Sequence, residues 1–450
     1  MDTPGESIMA LKFKNPVPEQ APAYVAQQVI PTKYHSMGNV MGKPVGQAYV
    51  PHIAHQIPQS RTPPPLEIPG QGLNRAVNYY ADYAGCGWWR MIAPEMLLNM
   101  NQKCVINGLT TMVLDPRFYG GIKAVRLQRQ ATPVQLEFVK FLKSIASHHN
   151  YKIIYEIDDI IFKDDIPDFN RCKVAFENDQ ILNSCIEMMK MSDEISVTCQ
   201  FMKDYYTHKT GNKNITVVPN YPAKMWMDKH YEPDRILKNY QDNKKKPRVA
   251  YVGSGTHIDV LNKTNQRDDF HHVVDAIIKT RNDFKWVFVG CFPLPCKPFI
   301  DRGEMEFIQW FPLMDLWKAY YEPKMSAVFA PLQDITFNKA KSNIKFLESA
   351  CLGIPGVFQN LVTYQDAPLK FNKGTDLIDQ LKLLLKDEDT YMNYSKQARA
   401  YADTMWLDDH LDEFNELYFT KIGSPDRKTL YRLNPDEKAA VPFENQLLKK

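Results

Sequence analysis

Residues 337–355 read FNKAKSNIKFLESACLGIP, a short polar loop opening directly into a helix. Lys341, Ser342, Lys345 and Glu348 fall on adjacent turns, and three- and four-residue spacings place side chains on one helical face. Lys341, Lys345 and Glu348 are therefore expected to address a single ligand. Phe346, Leu347, Ala350, Cys351 and Leu352 form the apolar side that packs into a core, and Gly353 and Pro355 stop the helix. A helix N-terminus carries unpaired N–H groups and partial positive charge. With two lysines beside it, it suits a phosphate or pyrophosphate, and a carboxylate further in suits sugar hydroxyls. The pattern fits a nucleotide with a ribose, although a solvated amphipathic helix has the same periodicity.

Upstream of this stretch, short apolar runs alternate with helical segments, the mark of a parallel sheet buried on both faces. Ala327–Ala330 is a strand, as are Trp286–Val289, Phe307–Trp310 and Val249–Val252. The last is followed by Gly253-Ser254-Gly255-Thr256-His257, and a helix is expected over 270–281. The charged run 240–248, with Lys244-Lys245-Lys246, reads as a linker. Before it lies a second alternating unit. A strand over 76–83 leads into Ala84-Gly85-Cys86-Gly87, then Trp88-Trp89-Arg90 and a helix to Asn101. A glycine pair between strand and helix lets backbone N–H groups approach a ligand, and Arg90 adds charge. The third glycine of a dinucleotide fingerprint is missing, which argues against an NAD site. Thr110–Leu114 and Ala124–Gln128 are the next expected strands, then a helix over 133–148 and a strand over 151–155. That strand ends in Glu156-Ile157-Asp158-Asp159. Ligands of open parallel sheets bind outside the carboxyl ends of the strands, so these acids are candidates for the cleft. The expected architecture is α/β: two Rossmann-like domains, 73–240 and 247–400, facing across a cleft. A C-terminal helix and tail, 401–450, cross back to the first domain.

Residues 1–72 differ from all that follows. Eleven of the 31 prolines lie between Pro16 and Pro69 without a sustained apolar period, a composition that stays extended on its own. Tyr24, Val29, Ile30, Tyr34, Tyr49 and Ile53 favour wrapping on the chain itself. The chain has 450 residues and a net charge of +3, so it has room for several cores and any polyanion contact must come from local patches. Eight cysteines are scattered without zinc-ligand spacing, which points to reduced thiols. No secretory pattern and no run of about 18 apolar residues occurs; a cytoplasmic protein without membrane contact is expected.

Taken together, YEIDDIIF at 155–162, DEISVTCQFMKDYY at 193–206, VVPNY at 217–221, VAYVGSGTHIDV at 249–260, APLQDITFNKAKSNIKFLESACLGIP at 330–355 and Tyr364 resemble GT-B glycosyltransferases of the family 4 type. The resemblance covers about Arg75 to Phe419. It implies that Gly253, Ser254, Gly255, Thr256 and His257 lie against the diphosphate of a UDP-linked sugar. It also implies that Lys341, Ser342 and Lys345 neutralise that diphosphate, and that Glu348 takes the ribose hydroxyls. Asp158, with Asp159 second, is the expected catalytic carboxylate; anomeric retention and no metal or tightly bound cofactor are implied. One departure stands out. The family pattern has two glutamates eight positions apart, and the position eight before Glu348 is Ala340, so the first glutamate's role near the sugar is either unfilled or passed to a neighbour such as Asn338 or Asp334.

The AGCG loop at 84–87 (Gly85, Cys86, Gly87, then Arg90), the acidic strand end and ESACLGIP are also similar to DNA alpha-glucosyltransferases of T-even bacteriophages. That similarity implies double-stranded DNA carrying 5-hydroxymethylcytosine as acceptor, with Arg117, Lys123, Arg126 and Arg129 along the phosphate backbone. The sugar would be glucose or a pentose such as arabinose. Two other readings stand beside it: transfer to a cell-envelope polysaccharide or protein, and a degenerate fold acting as a binding protein. The oligomeric state is not legible.

Overall fold

The computed structural model describes residues 72–259 and 268–427; the proline-rich extension and the tail anchors Tyr431 and Phe443 lie outside these. Two six-stranded sheets, parallel throughout, organise the chain. The first contains β1 (Asn74–Tyr79), β2 (Cys104–Leu109), β3 (Ile122–Gln128), β4 (Lys152–Glu156), β5 (Glu194–Val197) and β6 (Ile215–Val217), in the order β2-β1-β3-β4-β5-β6. The second contains β7 (Arg248–Val252), β8 (Lys285–Val289), β9 (Glu306–Ile308), β10 (Ala327–Ala330), β11 (Gly356–Gln359) and β12 (Leu369–Phe371), in the order β12-β11-β10-β7-β8-β9. Strand order reverses between β1 and β3 in one sheet and between β7 and β10 in the other. Those reversals open the crevices where α/β sheets take ligands.

Among the described residues, the helices of eight residues or more are α1 (Ala93–Met100), α2 (Pro133–His149), α3 (Asp179–Met191), α4 (Gln200–Thr210), α5 (Pro233–Asp242), α6 (Ile344–Cys351), α7 (Gly374–Leu384), α8 (Glu388–Asp403) and α9 (Leu411–Phe419). The start of α2 shows why boundaries fall where they do. Thr132 and Gln135 form a reciprocal capping box with Pro133 in the first turn, and Asn150 closes the helix in the left-handed region. After α5 the chain enters the second sheet. It returns at residues 406–411, where Leu407 N–H donates to the Pro222 carbonyl at 2.9 Å and His410 stacks on Tyr221 at 4.1 Å. Helix α9 then packs against α1 and β3, with the Tyr418 hydroxyl donating to Asn78 at 2.8 Å.

Several expected elements move. The second strand is Cys104–Leu109, and Thr110–Leu114 is irregular. The expected helix over 270–281 shrinks to Val274–Lys279. Strands β11 and β12 carried no reading at all, because four and three residues with a lysine between two apolar positions give too short a period. The stretch 337–355 also divides. Thr336–Lys339 is a separate turn of helix, and α6 begins only at Ile344. Lys341 therefore precedes the helix that carries Lys345 and Glu348, and the three are not on one helical face.

Candidate active site

A cavity of about 250 Å³ lies between the two sheets, at the carboxyl ends of their strands. From the first domain come Cys86, Arg129, Asp158 and Asp159; from the second, Ser254, Thr256, His257, Lys341, Ser342, Lys345 and Tyr364. Gly87, Arg90 and Glu348 do not form its wall. The sequence stretches that carried the reading thus converge from strand ends far apart in the chain.

Asp158 and Asp159 follow β4 and are held differently. Arg129, at the end of β3, takes a left-handed φ of 42°, a conformation uncommon outside glycine. Its N–H donates to the Glu156 carbonyl at 2.9 Å. Its guanidinium lies 2.8 Å from Asp82 and 3.3 Å from Asp158. Burial pushes the Asp158 carboxyl up, but Arg129 and the Cys86 thiol outweigh it and hold Asp158 below its ordinary value. Asp158 is thus an anion at neutral pH. Asp159 pairs across the cleft with the Lys341 ammonium, which also lies over the Phe337 ring. Burial would lower the Lys341 pKa; Asp159 reverses that and raises it.

On the opposite wall, Lys345 donates to the Val252 carbonyl at 3.2 Å and lies 5.1 Å from the Tyr251 ring centre. Residue 253 must be glycine for this, since a Cβ there would meet the Tyr251 hydroxyl at 2.5 Å and the Lys345 nitrogen at 2.6 Å. Burial lowers the Lys345 pKa, with Glu348 opposing. Glu348 lies buried and accepts from the Tyr320 hydroxyl at 2.7 Å. Its burial pushes the carboxyl up to about 7, against the Tyr320 hydroxyl and Lys345. Ser342 accepts a 2.9 Å hydrogen bond from Asn220, on the segment that leaves the first sheet.

Several expected site residues have other work. Arg90 is fully buried, 2.6 Å from Glu156, and donates to the Val218 carbonyl and the Asn220 amide oxygen. Arg126 is fully buried too, paired with the same Glu156 and donating to the Arg90 carbonyl. Neither can reach a ligand or a DNA phosphate; they form one network that joins the sheet to the interdomain crossing. Arg126 lies inside the apolar run IKAVRLQ, and that was the available signal: a charge within a buried strand must find a partner. The Gly87 N–H, expected to face a ligand, donates to Asp82 at 3.0 Å, and a Cβ on Gly87 would meet the Asp82 carbonyl oxygen at 2.0 Å. Arg129 lies in the cavity rather than along a backbone groove. Arg117 and Lys123 are exposed, Arg117 paired with Asp115. Of the neighbours considered for the missing glutamate, Asp334 is paired with Lys339 at 2.8 Å and Asn338 donates to Asp269 at 2.6 Å. Sequence reading missed Asp269, a fully buried carboxylate.

Two all-parallel Rossmann-like sheets with a cleft between their carboxyl ends define the GT-B glycosyltransferase fold. Solved structures of that class align with this chain. An alpha-glucosyltransferase in complex with UDP and a 13-mer DNA containing a HMU base aligns at a TM-score of 0.51, with 10% identity over 78% of this chain and 99% of that one. WaaG, a glycosyltransferase involved in lipopolysaccharide biosynthesis, aligns at 0.47 with 12% identity over 77% and 100%. S. aureus TarM aligns at 0.45 with 11% identity over 69% of this chain and 57% of TarM. No family model and no curated protein sequence matches. At these identities the likeness establishes the fold. Among the described residues, no helix is long and apolar enough to cross a membrane.

Proposed function

We propose that this protein transfers a sugar from a UDP-linked donor to a hydroxymethylated base, 5-hydroxymethylcytosine, in DNA, with retention at the anomeric carbon. The carrying observation is the single cavity in which Lys341 and Lys345 from one domain face Asp158 and Asp159 from the other. Loss of a nucleoside diphosphate leaves negative charge on oxygen and positive charge on the sugar. Preorganised cations stabilise the first, and a carboxylate on the opposite wall stabilises the second. In this reading the diphosphate lies against residues 253–257, Lys341, Ser342, Lys345 and the first N–H groups of α6. Glu348, held by Tyr320 behind the wall, acts on the ligand through Lys345 rather than by direct contact. Asp158, ionised by Arg129, faces the anomeric carbon, and Asp159 is released from Lys341 as the diphosphate arrives.

Two observations favour a base as acceptor. Beside Arg129, Asp158 and Asp159, the first-domain half of the cavity has an apolar face of Ala131, Ile160, Ile161 and Phe176, against which a flat ring can pack. The structural neighbour at a TM-score of 0.51 was solved with DNA containing a HMU base. The test is to incubate the protein with UDP-glucose, UDP-arabinose and other sugar nucleotides, with DNA containing or lacking 5-hydroxymethylcytosine, and to measure UDP release. Release that depends on the hydroxymethyl group is expected. No release with any donor refutes transfer; release equal on unmodified DNA or without DNA refutes the acceptor.

A further inference from the structure

The GT-B resemblance places a carboxylate at position 340, and the structure explains why alanine stands there. Ala340 is 1% exposed and belongs, with Phe337, to the apolar cluster of the first domain. Cys199 Sγ lies 3.8 Å from its carbonyl oxygen. A glutamate at this point would bury its charge in an interdomain apolar contact. Neither Asp334, a mostly exposed carboxylate paired with Lys339, nor Asn338 lines the cavity, so the sugar needs another polar partner on this wall.

His257 supplies an atom of the right kind. It lines the cavity, and no described residue hydrogen-bonds its Nε2. Its Nδ1 lies 2.8 Å from Asp269 Oδ2. The other Asp269 oxygen accepts from the Gln333 N–H at 2.9 Å and the Asn338 amide at 2.6 Å. A carboxylate only accepts, so Nδ1 carries the proton and Nε2 keeps its lone pair for an acceptor role. Burial lowers the His257 pKa; the bond to Asp269 opposes this, while Lys345 and Lys341 add to the lowering. The ring is neutral at neutral pH.

We infer that His257 Nε2 accepts a hydrogen bond from a ring hydroxyl of the donor sugar, in place of the carboxylate absent at Ala340, and that Asp269 is the positioning residue that sets its tautomer. Lysines at positions 341 and 345 read the diphosphate; the imidazole reads the sugar. The inference rests on the transferase reading above and narrows the donor to a sugar with a hydroxyl at the position His257 faces.

The experiment compares wild type, His257→Ala, His257→Gln and Asp269→Asn on a UDP-sugar and its monodeoxy analogues, reading kcat/KM and, separately, UDP affinity. For wild type, one deoxy analogue should be poorer by about tenfold, the scale of one neutral hydrogen bond in a closed site. His257→Ala should lose about the same factor on the full donor and show no further loss on that analogue. UDP affinity should fall less than kcat/KM does, since Lys341, Ser342 and Lys345 still hold the diphosphate. His257→Gln, whose amide oxygen also accepts, should recover part of the loss. Asp269→Asn favours the opposite tautomer, with Nε2–H as donor, and should lose activity on the full donor but not on the same analogue. A structural defect would lower both. If wild type turns over but His257→Ala discriminates the analogues as wild type does, the inference is overturned and the transferase reading stands. If wild type releases no UDP from any donor, both fall.

Discussion

Replacing Lys345 with methionine separates what this cation does for a ligand from what it does for the fold. Its nitrogen occupies a space that exists because Gly253 has no side chain, held by the Val252 carbonyl at 3.2 Å and the Tyr251 face. Burial depresses its pKa below the ordinary 10.5. A depressed lysine binds its proton less tightly in the folded chain than in the unfolded one. Its burial therefore costs stability at neutral pH, and the cost fades only as pH rises from the folded value towards 10.5. Methionine has similar length and no charge, so the variant should melt at the same temperature as wild type or higher at pH 7. Ligand binding moves the other way. One charge-assisted hydrogen bond to a phosphate contributes ~1.5–3 kcal/mol, so UDP should bind roughly 10- to 150-fold more weakly. Isothermal titration with UDP and a thermal melt on the same sample measure both. Affinity within about twofold of wild type would refute the diphosphate assignment. A markedly lower melting temperature at pH 7 would refute the burial argument.

Asp158→Asn should leave UDP affinity near that of wild type while turnover falls by about 10²–10³, the scale for losing one preorganised electrostatic group; full turnover in steady-state assays would reassign the catalytic carboxylate. Glu156→Gln leaves two buried guanidiniums without their shared anion and should lower unfolding free energy by about 3–5 kcal/mol in urea titration. Glu348 has a folded pKa of about 7 against an ordinary 4.5. Its stabilising, protonated form is fully present below 4.5 and lost as pH rises through 7, so Glu348→Gln should gain up to ~3 kcal/mol relative to wild type between pH 4.5 and pH 8. Denaturant midpoints across that range measure it; parallel curves for the two proteins would contradict the burial of an ionisable Glu348.

Strand–helix alternation was legible because β7, β8 and β10 are short apolar runs whose buried residues are adjacent in sequence. The site loops were legible for the same local reason: a glycine-bearing turn after β7, lysines ahead of and within α6, and acids at the end of β4 each announce themselves within a few residues. Partnership was not legible. In sequence Arg90 reads as a ligand-loop charge, Arg126 as a phosphate contact and Glu156 as a cleft acid, and only the pairing of β3 with β4 and the packing of α1 on the sheet enclose them together. His257 reads as a loop residue until folding brings Asp269 to its Nδ1, and Ala340 reads as a lost glutamate until it packs against the other domain. The sequence by itself determined two parallel α/β sheets and the residue types at the mouth of each, since these follow from periodicity and local conformation. Only the tertiary structure decided which charges face the cavity and which neutralise one another, because desolvation and pairing depend on neighbours tens to hundreds of residues away.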